Sequence, residues 1–396
     1  MTDRPLRVGV NLLWLVPAVV GGSEEYTTRL LRALAEAGPE DLHVTLFALA
    51  PFAEAHPDLV AAYPTVTVSI DGRSKGRRIA AEATWLARSA VARNVDLLHH
   101  AGGVVPPGPA ISRIPSALTI HDLQPLVMPD NFASLKRRWL TTMIPRSAAR
   151  ARMIFTPSDP ASTSVVEHLG VPASRVRTVP HGIEPPAPVS AERQAAVRER
   201  YRLGERTILY PAIPYAHKDH VTLVRAFARL APSRPDLTLV LAGGVGPHEA
   251  QVVDAVRASG VGDQVRRTGR IPDDDLAAMY AVATVVAVPS RFEGFGAPAL
   301  EAMVSGVPVV VADATALPWV VGDAGLRAPV GDVARWAQVL GRVVDEPAVQ
   351  STLAAAGRVR AATFSWSRSS AALAEGYRIA ARMGGSAAPV SEDGSP

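Results

Sequence analysis

The sequence predicts an α/β protein built from two Rossmann-like β/α/β domains that face each other across a cleft. Three observations predict it. Short apolar runs alternate with longer amphipathic stretches in two separate series. A proline-rich stretch, residues 183–189, stands between the series and can continue neither a helix nor a central strand. Glycine-bearing turns follow several apolar runs, which is where an open α/β sheet offers its ligand crevice. The 396 residues are enough for two domains of ordinary size.

In the first series, residues 6–13 read as a strand and residues 16–22 as an irregular loop. Ser23 then serves as the N-cap of a helix to about Ala37, with Glu24 and Glu25 in its first turn. Strands follow over residues 43–49 and 65–70, a helix rich in Ala and Arg over 77–93, and strands over 96–100, 116–120, 153–156 and 176–179. The second series places strands at 207–210, 237–242, 265–268, 285–288 and 307–311. Its helices fall at 222–230, 248–258, 273–281, 300–304, 333–344 and 348–355. The expected domains are residues 1–184 and 190–366. A last helix over residues 367–383 crosses back toward the first domain, and the small, polar tail 384–396 reads as disordered.

Hydrophobic residues make up 48% of the chain and charged residues 20%, in the range of a globular protein. With no cysteine, the sequence excludes disulfides, thiolate chemistry and Cys-ligated zinc or iron–sulfur sites. The net charge is +4, with local basic runs at residues 73–78 and 136–138. Such runs are solvated surface, or they meet anionic lipid head groups or a phosphorylated ligand. No helix-turn-helix, zinc-finger or aromatic RNA-binding signature accompanies them, so no nucleic-acid partner is expected. The N-terminus lacks an apolar signal core, and no apolar stretch is long enough to span a bilayer. The expectation is a cytoplasmic protein, with peripheral membrane contact left open.

Residues 289–301 carry the strongest chemical signal. An apolar run enters them and a helix leaves them, so Glu293 and Glu301 sit at a strand-to-helix turn with Gly294 and Gly296. Backbone N–H groups at Gly294, Phe295 and Gly296, beside a helix N-terminus, suit an oxygen-rich anion, and the two carboxylates suit sugar hydroxyls. The bland alternative is a helix entrance with two solvated acids. Gly21 and Gly22 let backbone approach a phosphate or sugar ahead of the first helix, or simply make a tight turn. Their spacing is not that of a dinucleotide fingerprint, which disfavours an NAD-dependent oxidoreductase. His121 and Asp122 follow a strand, where His121 can meet a ligand hydroxyl, stabilise charge, or be structural. Lys218, in the run His217-Lys218-Asp219-His220, can reach a diphosphate. The His-x-x-His pair lacks a third ligand at suitable spacing, so no metal site is expected.

Together, Gly21-Gly22, His121-Asp122-Leu123, Thr156-Pro157-Ser158, Val179-Pro180-His181-Gly182-Ile183, Lys218, the Glu-x7-Glu pair Glu293 and Glu301, and Phe364-Ser365-Trp366 resemble the family 4 retaining glycosyltransferases. The resemblance implies the two-domain GT-B fold and transfer of a hexosyl group from a nucleotide-diphosphate sugar to a hydroxyl acceptor. That acceptor would be a glycan, a lipid-linked sugar or a natural product. It implies that Glu301 holds the nucleotide ribose, Glu293 the donor sugar and Lys218 the diphosphate, with backbone from Gly294 to Ala297 alongside. Gly21 and Gly22 then border phosphate and acceptor, His121 lies near the donor sugar, and Arg270 and Ile271 flank the base. Thr156 to Ser158 shape the cleft, and residues 13–20, 104–113 and 126–138 supply acceptor contacts. Many members carry an arginine just before the lysine. Here residues 210–217 contain none, so His217, an arginine from elsewhere, or Lys218 alone must serve. The implied chemistry uses neither metal nor cofactor, the nucleotide sugar being a co-substrate. The leaving phosphate helps to deprotonate the acceptor, and the protein positions groups and stabilises charge. A nucleotide-sugar epimerase and a non-catalytic nucleotide-sugar-binding protein are the alternatives.

Overall fold

A computed structural model describes residues 4–17, 19 and 21–383 of the chain. The expectation for residues 384–396, and part of the loop expected at 16–22, lie outside them. The first series runs β1 (Leu6–Asn11), α1 (Gly22–Ala37), β2 (Leu42–Leu49), α2 (Ala50–Ala55), α3 (Pro57–Ala62), β3 (Thr65–Val68), α4 (Lys75–Ala83), α5 (Trp85–Ala92) and β4 (Leu97–His100). It continues with β5 (Ser116–Thr119), α6 (Gln124–Val127), α7 (Ser134–Arg150), β6 (Met153–Thr156), α8 (Asp159–Leu169) and β7 (Val176–Thr178). The second runs α9 (Ala191–Arg200), β8 (Arg206–Pro211), α10 (His220–Leu230), β9 (Leu237–Ala242), α11 (Glu249–Ala258), β10 (Val265–Gly269), α12 (Asp273–Val282), β11 (Val285–Val288) and α13 (Ala297–Val304). Then come β12 (Val309–Ala312), α14 (Leu317–Val321), β13 (Leu326–Ala328), α15 (Val333–Asp345), α16 (Pro347–Ala361) and α17 (Trp366–Arg382).

Each series forms its own parallel sheet. The first has strand order β3-β2-β1-β4-β5-β6-β7 and the second β10-β9-β8-β11-β12-β13. Helices cover both faces, so the central strands must be apolar on both sides, and β11 (VVAV) and β12 (VVVA) are buried at every position. The strand order reverses between β1 and β4 in one sheet and between β8 and β11 in the other. Such reversals open a crevice at the strand C-terminal ends. This is the GT-B arrangement of two Rossmann-like units.

Two separate apolar cores match the two sheets. Trp366, Leu373 and Tyr377 of α17 belong to the first core, whereas Phe364, two residues before the helix, belongs to the second. The chain therefore crosses from one core to the other at Phe364-Ser365-Trp366. Tyr377 seals the crossing, its hydroxyl lying 2.8 Å from Nδ1 of the buried His99. Among the described residues no helix is long and apolar enough to cross a membrane.

Local expectations needed correction. Ser23 does not cap α1: the cap is Gly21, at φ 73°, with no side-chain bond, and the helix starts at Gly22. Only glycine takes that left-handed backbone without strain, so it starts the helix ahead of the serine. The helix expected over 77–93 is two helices, α4 and α5, broken at Thr84 where φ is −120°. Residues 126–138, expected to add acceptor contacts, contain the end of α6 and the start of α7. α7 was not anticipated. It carries Pro145 in its interior and only a weak apolar stripe. α9 follows the proline-rich stretch and is mostly polar. It is held through the buried carboxylate of Asp275, which accepts from Arg193, from Nη1 of Arg200 at 2.9 Å and from the Tyr201 hydroxyl at 2.7 Å.

Candidate active site

The two crevices meet in one cleft of about 870 Å³. Of the residues singled out in the sequence, Gly22, His121, His217, Lys218, Glu293 and residues 294–297 border it. Gly21, Arg270, Ile271 and Glu301 do not line it. Lys218 ends a short turn after β8. Its Nζ donates to Oε1 of Glu293 at 2.6 Å, and both side chains are largely buried. The loops carrying this pair are tied together beneath it. The Arg291 amide donates to the His217 carbonyl at 2.7 Å, and Arg291 Nε donates to Asp219 at 2.9 Å. The Tyr210 hydroxyl donates to the Lys218 carbonyl at 2.8 Å, and the Glu293 amide to Thr315 Oγ1 at 2.9 Å.

After Glu293 the chain turns into α13 through Gly296, whose φ of 104° favours glycine. The amides of Gly294, Phe295 and Gly296 have no acceptor among the described residues, and they border the cleft at the positive end of α13. Glu301, further along that helix, accepts from the Tyr280 hydroxyl at 2.6 Å. Burial pushes its carboxyl above the usual range. Glu25 of α1 pushes it up further, while the Tyr280 hydrogen bond and Arg29 pull it down. Glu301 thus stands at the domain junction, within electrostatic reach of Glu25 and Arg29 of α1. Arg270 and Ile271 lie just beyond β10, Arg270 exposed.

The histidines of the cleft are neutral bases. His121 Nε2 faces the Ala101 carbonyl at 3.0 Å and so carries the proton, which leaves Nδ1 as an acceptor. Burial pulls its pKa down to about 4. His121 is therefore neutral and supplies no positive charge at neutral pH. Burial, then Lys218, lowers His217 to about 4 as well, and its ring stacks on Tyr215 at 5.7 Å. His217 does not replace the missing arginine as a cation at neutral pH. His220 faces away, to the Ala212 carbonyl at 3.1 Å. Among the described residues no group of three or more His, Asp or Glu side chains is placed to hold a metal ion.

The domains touch backbone to backbone. A Cβ on Gly294 would collide with the His121 carbonyl oxygen, so only glycine fits. Ser158, the N-cap of α8, donates its hydroxyl to the Gly294 carbonyl at 2.7 Å. The His181 ring stacks on Phe295 at 4.4 Å and 12°, and Trp319 Nε1 donates to Asp159 at 3.0 Å. Sequence reasoning missed the bridging role of Ser158 and the place of Gln124 at the cleft; Lys136, within the region expected to supply acceptor contacts, also borders it. The basic run at 136–138 was the available signal for Lys136.

Two Rossmann-like sheets that face across a cleft, with an ammonium, carboxylates and free amides at its border, have the GT-B architecture. The family described as "Glycosyltransferase Family 4" matches residues 20–186, and "Glycosyl transferases group 1" matches residues 194–360. The chain belongs to the family 4 glycosyltransferases, which makes it a glycosyltransferase. It is 29% identical over 264 residues to the O-antigen chain mannosyltransferase B of Escherichia coli, covering 66% of this chain and 69% of that protein. It is 34% identical over 241 residues to the MMP alpha-(1->4)-mannosyltransferase of Mycolicibacterium hassiacum, covering 59% and 56%. The chain thus spans little more than half the length of that second relative. In fold it is similar to the Anabaena HepE protein solved with UDP-glucose, with TM-score 0.72 and 18% identity over 93% of this chain and 98% of that one.

Gly294→Ala is expected to hold the domains apart. Transfer then falls about 10²-fold through misplacement of the reacting groups, and helical circular dichroism is unchanged. Small-angle scattering with steady-state rates checks both. The buried histidines set a second expectation. His99, His100 and His181 are pulled to about 3, and His121, His217 and His220 to about 4, from an ordinary value of 6.5, each mainly by burial. A lowered folded-state pKa means the unfolded chain takes up protons first. Stability is therefore intact above pH 7 and is lost as pH falls from about 6.5 toward 4, each histidine contributing up to ~1.4 kcal/mol per pH unit. Denaturant unfolding at stepwise pH measures this, and a flat profile in that window contradicts it.

Proposed function

We propose that the cleft transfers a hexosyl group from a nucleoside-diphosphate sugar to a hydroxyl acceptor, with retention of anomeric configuration and without a metal ion. The observation that carries this reading is the Lys218–Glu293 pair, 2.6 Å apart, beside the free amides of residues 294–296. A diphosphate entering there competes for the ammonium. Lys218 then turns to phosphate, and Glu293 is released toward sugar hydroxyls. The ammonium and the amides stabilise charge that grows on the departing phosphate in a site partly shielded from water. Glu301, at the junction behind them, takes ribose hydroxyls. His121 Nδ1 accepts from a hydroxyl of the transferred sugar and fixes its orientation. Neutral histidines suit this role, because they leave the phosphate charge to Lys218 and the amides. Arg270 and Ile271 flank the base, and Gly21 and Gly22 border the phosphate and acceptor.

Relatives named as mannosyltransferases, and a fold neighbour solved with UDP-glucose, make GDP- and UDP-linked hexoses the first donors to test. Titration calorimetry over that panel is expected to identify one that binds. Glu301→Gln, which keeps a partner for Tyr280, then weakens donor binding about tenfold, as a lost charge-assisted hydrogen bond does. Lys218→Ala lowers kcat about 10²–10³-fold with the fold intact. Proton NMR of the product shows the donor's anomeric configuration retained, and activity survives chelator. Binding of no nucleotide sugar, or conversion of the donor alone into another sugar nucleotide, overturns the proposal.

A further inference from the structure

We propose that the acceptor carries an anionic group, a phosphate or a carboxylate, and that Lys136 on the N-terminal wall of the cleft receives that group. This rests on the transferase reading above and names the substrate class of the same cleft. Two lysines line the cleft, and they differ in one respect. Lys218 is already neutralised by Glu293. Lys136 has no carboxylate within ion-pair distance among the described residues; its Nζ lies 5.2 Å above the Phe132 ring instead. Lys75 has no carboxylate partner among them either.

The acids nearest this wall are otherwise engaged. Asp130 accepts from Arg137 at 3.1 Å, and Asp122 accepts from the Gln124 amide at 2.9 Å. Asp122 attracts Lys136, but burial and the like charge of Lys75 both pull the Lys136 ammonium below its usual range. Each stands in the first turn of a helix, α4 for Lys75 and α7 for Lys136, and neither first turn contains an acid. Helix starts favour negative charge, so cations there raise the positive potential further. Among the described residues no carboxylate forms an ion pair with Lys136, and an anion entering the cleft can.

The charge lies on the acceptor rather than the donor because Lys136 belongs to the N-terminal domain. Lys218, Glu293 and the amides proposed for the donor belong to the other. Gln124 and Asn131, which border the cleft beside Lys136, offer hydrogen bonds to an acceptor's hydroxyls. A soluble sugar phosphate and an anionic lipid headgroup present the same chemistry to this wall.

The test uses the full chain saturated with whichever nucleotide sugar the donor panel identifies, or with its nucleoside diphosphate. Glucose and mannose are compared with their 6-phosphates by calorimetry, and phosphatidylcholine vesicles with vesicles containing phosphatidic acid by flotation. Either the sugar phosphates or the phosphatidic acid vesicles are expected to bind at least tenfold tighter than the neutral partner, and the arm that responds identifies the source of the anion. Lys136→Gln abolishes that preference, Lys136→Arg restores it, and added salt weakens it. Equal binding of charged and neutral probes in both arms overturns the inference. So does a Lys136→Gln variant that loses donor affinity instead, which would assign the ammonium to the diphosphate. Failure of every nucleotide sugar to bind is a different result and refutes the transferase reading itself.

Discussion

The closed cleft depends on one steric constraint, the contact of Gly294 with the His121 carbonyl. Here the strand-end loop of one domain rests on that of the other with no side chain between them. The contact lies at the turn that carries Glu293 and the free amides, so domain approach also fixes the position of that turn. Ser158 holds the Gly294 carbonyl from the opposite domain, and the His181–Phe295 stack secures the next residue. Each bond is modest alone. Together they fix the position of a backbone whose amides must aim at a ligand. A loose loop would lose that aim through small displacements.

Charge in the cleft is distributed by burial as much as by sequence. Three carboxylates, two ammoniums and several imidazoles line it, yet burial leaves the imidazoles neutral. The remaining cations divide by domain, Lys218 on one wall and Lys136 on the other. Lys218 is held by an internal partner that a ligand can displace, whereas Lys136 rests over an aromatic ring. The two cations thus stand on opposite walls of one interdomain cleft.

The β/α alternation was readable because parallel strands covered on both faces must be almost continuously apolar, as in residues 285–288 and 309–312. α7 was hidden by Pro145 and its weak stripe, and α9 by polarity, because a buried salt bridge rather than an apolar face holds it. Cleft-lining Lys218 and Glu293 were legible from turn chemistry at a strand end. The protonation of His217 was not, since the charge of a histidine depends on enclosure that only tertiary structure supplies. Lys136 stood in a run of three basic residues, and nothing local separates the one that faces a cleft from its neighbours. Ser158 was expected only to shape the cleft; it caps α8, and its second bond crosses a domain boundary invisible to sequence spacing.

The transfer of α17 to the first core has a consequence for biosynthesis. Trp366, Leu373, Ala374, Tyr377 and Ala380 complete an apolar core whose other members all come from residues 8–179. On the ribosome that core stays unfinished until the intervening domain has been translated and the final helix emerges. The half made first is therefore the half completed last, and a nascent chain stalled before α17 leaves an open apolar groove for chaperones to cover.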